Sequence, residues 1–73
     1  MFNFGEHLKA LRKAQNITQK QLAQDINASE RGIQNYELNL RKPTYDILIA
    51  LADYFDVSID YLVGRTDNPE INK

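Results

Sequence analysis

The sequence predicts an all-α domain of five short helices, and three observations carry that prediction. Residues that favour helix N-caps, each followed by apolar residues at three- and four-residue spacing, recur at Asn3, Thr18, Ser29, Thr44 and Ser58. Two of these units fall within residues 18–37, TQKQLAQDINASERGIQNYE, with only Asn27 and Ala28 between them, so the two helices are joined by a tight turn. The length of 73 residues, without cysteine, allows one domain. A core of that size supplies only about 3–5 kcal/mol of net stability, which dimerisation would raise.

Taken in order, Asn3 and Glu6 have capping-box spacing, and Phe4, Leu8 and Leu11 follow at i, i+4, i+7 beside Ala10 and Ala14, giving a first helix to about Gln15. His7 stands among polar residues in its first turns and is expected to face solvent. The second helix, residues 19–26, is marked three times: Thr18 as N-cap, Gln21 completing a capping box, and Ile17 with Leu22 as hydrophobic staple. Leu22, Ala23 and Ile26 form its apolar face, and Asn27 tolerates the left-handed backbone a sharp turn needs. Ser29 caps the third helix, with Ile33 and Tyr36 inward and Glu30, Arg31, Gln34, Asn35 and Leu38 outward.

The loop of residues 38–43 ends at Pro43, and its Leu40 has no evident purpose unless it folds back onto the core. Thr44 caps the fourth helix, whose Ile47, Leu48, Leu51, Ala52 and Phe55 make a wide apolar stripe. Ser58 caps the fifth, with Val57 and Leu62 as staple and Gly64 as stop. Tyr54, Ile59, Tyr61 and Val63 are more apolar surface than five short helices easily hide. Residues 67–73 are polar with a proline and read as a flexible tail behind a domain of residues 1–66.

The succession T-Q-x-x-L-A-x-x-I, S-x-x-x-I-x-x-Y-E, R-K-P and the closing VSIDYLVGRT resembles the Cro and lambda-repressor-like (Cro/C1-type, XRE) helix-turn-helix DNA-binding domains of phage and bacterial regulators. The resemblance covers about residues 4 to 66. Asn27 and Asn39 depart from it, standing where the family most often has Gly. It implies a lambda-repressor-like fold in which the third helix enters the major groove of double-stranded DNA. Glu30, Arg31, Gln34 and Asn35 then face base edges. Arg31 suits guanine O6 and N7, Gln34 or Asn35 suits adenine N6 and N7, and Glu30 accepts from cytosine N4 or rejects sites without it. Glu30 otherwise serves the helix dipole. Gly32 gives clearance for DNA or for the second helix.

The resemblance implies that Gln19 contacts phosphate and braces the start of the recognition helix; Lys20 beside it, and Asn39, Arg41 and Lys42 in the loop before Pro43, are further phosphate candidates. It pairs Arg12 with Glu37 as a structural ion pair, the alternative being two independent surface charges. It places a homodimer interface on Tyr54, Ile59, Tyr61, Leu62 and Val63, the alternative being that these complete one monomer's core.

The net charge of −1 argues at first against a nucleic-acid partner, but the charges are not spread evenly. Through Pro43 there are seven basic and four acidic residues, +3; from Thr44 onward two basic and six acidic, −4. The positive half is the half with the two-helix unit, as contact with phosphate requires. No nucleophile–base pair, metal cluster or glycine-rich phosphate loop can be assembled, so neither an enzyme nor a cofactor is expected. The single histidine and missing cysteines speak against a zinc site, and the absence of a signal peptide or membrane-length apolar run points to the cytoplasm.

The sequence therefore reads as a homodimeric, sequence-specific repressor of a palindromic operator, without an effector domain and open to control by a protein antagonist. The alternatives are a DNA-binding antitoxin or immunity partner of another polypeptide, and a protein-interaction module that has lost DNA binding.

Overall fold

Each of the five helices sends one side chain to a centre that water does not reach: Leu8, Leu22, Ile33, Leu51 and Leu62 are all fully buried. The computed structural model describes residues 2–70, in which α1 is Phe4–Ala14, α2 Gln19–Asp25, α3 Glu30–Glu37, α4 Tyr45–Phe55 and α5 Ile59–Leu62, with no strand among the described residues. Burial of a Leu or Ile side chain is worth about 1.5–3 kcal/mol. Ala23, Tyr36, Ala52, Phe55 and Val57 close the shell around the five. α3 packs on both α1 and α2, α5 on both α4 and α1. No helix among the described residues is long and apolar enough to cross a membrane.

The helix starts follow the sequence closely. Asn3, Thr18, Ser29, Thr44 and Ser58 each accept a hydrogen bond from the backbone N–H three residues on, at 2.9 to 3.3 Å. The reciprocal half of the Thr18 capping box is not made: the Gln21 amide donates to Asp25 Oδ1 instead, 2.8 Å. Asp25 Oδ2 accepts from the Tyr54 hydroxyl at 2.7 Å, tying α2 to α4. That bond holds the Tyr54 phenol above its ordinary pKa.

All five helices stop in one way. A residue in the left-handed region follows each: Asn16 (φ 57°), Asn27 (59°), Asn39 (60°), Asp56 (56°) and Gly64 (82°). The next N–H then reaches back to a carbonyl five residues earlier, as in Ala28 to Ala23 (2.8 Å), Leu40 to Asn35 (2.9 Å) and Arg65 to Asp60 (2.7 Å). Asn27 and Asn39 thus take the conformation expected of them. Asn16 and Asp56 do the same work without having been singled out.

Asn39 has a second task. Its Oδ1 accepts from the Gly5 N–H (3.0 Å) and its Nδ2 donates to Asn3 Oδ1 (2.8 Å), so the end of α3 satisfies the open N-terminus of α1. The approach is close enough that a Cβ on Gly5 would overlap the Glu37 carbonyl.

Three expectations are corrected. Leu62, expected at a dimer interface, is fully buried within the chain, because its staple with Val57 seats it in the core. His7 does not face solvent: its ring packs between Phe2 (centroids 5.3 Å) and Tyr61 (4.9 Å, edge-on), and its Nε2 is buried without a hydrogen-bond partner. The chain after Thr66 is not loose throughout, since the Pro69 carbonyl accepts the Ser58 N–H at 2.9 Å. The remainder of the expected tail, residues 71–73, lies outside the described residues.

Candidate nucleic-acid interface

The position of α3 is fixed from inside by Glu37, a carboxylate in its last turn that is only 6% exposed. Arg12 of α1 meets it with two hydrogen bonds, Nε to Oε2 at 2.7 Å and Nη2 to Oε1 at 3.1 Å. The third guanidinium nitrogen, Nη1, donates to the Ile17 carbonyl at 2.9 Å, in the turn before α2. Gln19, the first residue of α2, adds its Nε2 to Glu37 Oε1 at 3.1 Å. Glu37 raises the Arg12 pKa above its ordinary value, against the smaller opposing effect of burial. A buried charge is tolerated only when so paired. One cluster therefore registers α1, α2 and α3 against each other.

Gln19 is placed differently from expectation: its amide nitrogen braces the end of α3, not the beginning. The side chain of Glu37 runs back along the helix toward α2, as helical side chains do.

With Ile33, Tyr36 and Glu37 turned inward, the outer face of α3 carries Arg31, Gln34, Asn35 and Leu38 at i, i+3, i+4 and i+7, with Glu30 beside them. Glu30 and Arg31 are exposed; Gln34 and Asn35 are half-buried. Gly32 donates its N–H to Ser29 Oγ, and a Cβ there would come nearest to Ser29 and Tyr36. Clearance for α2 is therefore not its purpose.

Glu30 lines a hollow of about 560 Å³ with Lys13, Asn16 and Gln19. Lys13 and Asn16 were not anticipated. The signal available for Lys13 was its place next to Arg12, with which it borders the same hollow.

Lys20, Arg41 and Lys42 are exposed. Asn39 is exposed as well, with its side chain engaged by the Gly5 N–H and by Asn3 Oδ1. Leu40 stays out in solvent, 73% exposed. The five candidate dimer residues differ in their surroundings. Leu62 is buried, the Tyr54 hydroxyl is engaged by Asp25, the Tyr61 ring lies against His7, and Val63 lines a groove at the N-terminus. Ile59 is exposed and borders a separate hollow with Ile49.

Two short helices joined by a left-handed asparagine, the second held by a buried clamp with its polar face outward, define a helix-turn-helix domain. The chain belongs to the helix-turn-helix family, which matches residues 8–62, and within it to the Cro/C1 type. It is 42% identical over 65 residues, 89% of this chain, to the uncharacterized HTH-type transcriptional regulator YobD of Bacillus subtilis, and 42% identical over 60 residues, 82% of this chain, to the CTXphi transcriptional repressor RstR of Vibrio cholerae. The chain spans 58% and 54% of the lengths of these two relatives. Among solved structures it superimposes on the P22 c2 repressor in complex with a synthetic operator, TM-score 0.82 at 30% identity, covering 86% of this chain and 96% of that one.

Proposed function

We propose that this chain is the DNA-binding part of a sequence-specific transcriptional regulator, a homodimeric repressor that blocks a promoter by occupying a palindromic operator. The observation that carries the reading is the outer face of α3. Arg31, Gln34 and Asn35 stand together on a helix whose inner face is locked by Arg12, Gln19 and Glu37. Side chains that read base edges must be held in place before the DNA arrives, and this clamp holds them. Lys20, Arg41 and Lys42, all exposed, are the phosphate contacts of this reading, which position the protein without selecting sequence. Lys13 and Glu30 line one hollow.

Size supports the dimer. The domain measures 30 × 25 × 23 Å, and half-sites one helical turn apart place two recognition helices about 34 Å from each other. Ile59, one of the exposed apolar residues, is the candidate we assign to the contact between two such domains.

The relatives named as transcriptional regulators and repressors support the same role. The test is selection of bound duplexes from a random pool at about 0.15 M salt, where non-specific phosphate attraction is already screened. An enriched palindrome with half-sites one turn apart is expected. A pool that stays random after repeated rounds would end this reading and favour a protein-interaction module.

A further inference from the structure

A groove of about 700 Å³ runs between the N-terminal residues, the α3–α4 loop and the α4–α5 end of the molecule. We infer that it binds a small amphipathic acid, an apolar chain or ring bearing one carboxylate, and that occupancy withdraws Arg41 and Lys42 from DNA phosphate. The second half rests on the function proposed above; the first does not.

The floor is carbon: Phe2, Phe4, Leu48 and Val63. Phe2 lies against Gly64 and His7 yet remains 44% exposed. An aromatic ring left that wet beside a hollow has surface to give to a ligand. The volume falls within the roughly 300–1,000 Å³ of small-molecule sites.

The mouth is cationic. Arg41 and Lys42 line it and, among the described residues, no acidic residue does, although the chain carries ten. Among the described residues the single ion pair is Arg12–Glu37, so both cations remain available. Asn3 and Asn39, which also border the groove, are bonded to each other and to the backbone of α1. Charge selection therefore falls to Arg41 and Lys42. A simple anion would leave the apolar floor unused, and a neutral hydrocarbon would partly desolvate two unpaired cations. A carboxylate on an apolar body satisfies both. The same two side chains are the phosphate contacts of the α3–α4 loop, so acid and DNA compete for them.

The direct test is a ¹H–¹⁵N titration of the chain without DNA, using decanoate, 1-decanol and acetate, each kept below concentrations at which aggregates form. Saturable shifts at Phe2, Leu48, Val63 and Arg41 are expected, with decanoate binding at least tenfold tighter than decanol or acetate. The Arg41→Ala/Lys42→Ala variant should bring decanoate down to the level of decanol while the rest of the spectrum is unchanged. Acetate binding as well as decanoate would mean loose counterions; decanol binding as well would mean unspecific adhesion; shifts gathered at Leu38 and Tyr45 would place the acid elsewhere. Each of these overturns the site.

The competition is read separately, on a duplex the wild-type chain binds. Decanoate should weaken that binding at least tenfold, and should not do so in Val63→Phe, whose ring fills the groove. Equal DNA affinity with and without bound decanoate would overturn the coupling. A chain that bound decanoate but no DNA would leave the site standing and remove the regulator.

Discussion

Arg12 and Glu37 are 25 residues apart and meet inside the protein through two parallel hydrogen bonds, with side-chain exposures of 10% and 4%. Removing one member leaves the other charge buried and unpaired, at a cost of about 3–5 kcal/mol. That is on the scale of the whole stability of a domain this small. Arg12→Met is therefore expected to be largely unfolded at 25 °C by circular dichroism, and Arg12→Met/Glu37→Leu to refold. A single variant as stable as the wild type would show that the pair is solvated in solution.

The left-handed positions separate two roles of the same conformation. Asp56 holds a φ of 56° with no side-chain hydrogen bond to reward it, so Asp56→Gly should stabilise by about 1 kcal/mol, or about 4–8 °C in Tm. Asn39 holds 60° but also closes the N-terminus of α1. Asn39→Gly gains the same backbone freedom and loses two hydrogen bonds, and its Tm should fall. Thermal melts of the two variants check the contrast of sign.

Burial lowers the pKa of His7 below its ordinary 6.5. The folded chain then takes up a proton less readily than the unfolded chain. Stability from this group is complete above about pH 6.5 and declines as pH falls toward the lowered folded value, below which the loss stays constant. Urea midpoints from pH 7.5 to 5 should drop for the wild type more than for His7→Phe. Parallel curves would mean that the ring is hydrated.

On DNA, Arg31→Ala should cost about 1–3 kcal/mol and relax preference at one base pair, whereas Lys42→Ala should weaken all sites alike and reduce the salt slope by about one. Competition binding at several salt concentrations distinguishes them. Unchanged site preference in Arg31→Ala would displace the recognition role from this face.

For the dimer, Ile59→Asp is the informative change, because Tyr61 and Leu62 also support the monomer. Sedimentation should give monomers for Ile59→Asp with an unchanged helical spectrum. Asp53 and Asp60 line the same hollow as Ile59, so the wild-type dimer should tighten with added salt while DNA binding loosens. A dimer indifferent to both changes lies on another surface.

The parts legible in the sequence are those written within a few residues of each other. Each N-cap sits three residues from the N–H it accepts, and the apolar spacing that follows names Leu8, Leu22, Ile33 and Leu51 as inward, whereas Leu62 was expected at an interface and is buried. What escaped is made by distance. Gly5 looks like an ordinary weak point in a helix until Glu37 arrives beside it, 32 residues later. His7 sits among polar neighbours in sequence, but Phe2 and Tyr61 close over it in space. Asn39 was read from its loop, where polar residues face outward, and its partners lie on α1. The outward residues of α3 were legible because its inward face, Ile33, Tyr36 and Glu37, is regular.

The five helix stops carry one more consequence. At each of them a left-handed residue turns the chain and the next N–H closes back on the helix, so the short connections between α1, α2 and α3 contain little slack. A tilt of α3 cannot be taken up by stretching a loop; it requires unseating the helix from α1 and α2. Such a domain behaves as a stencil and not a hinge.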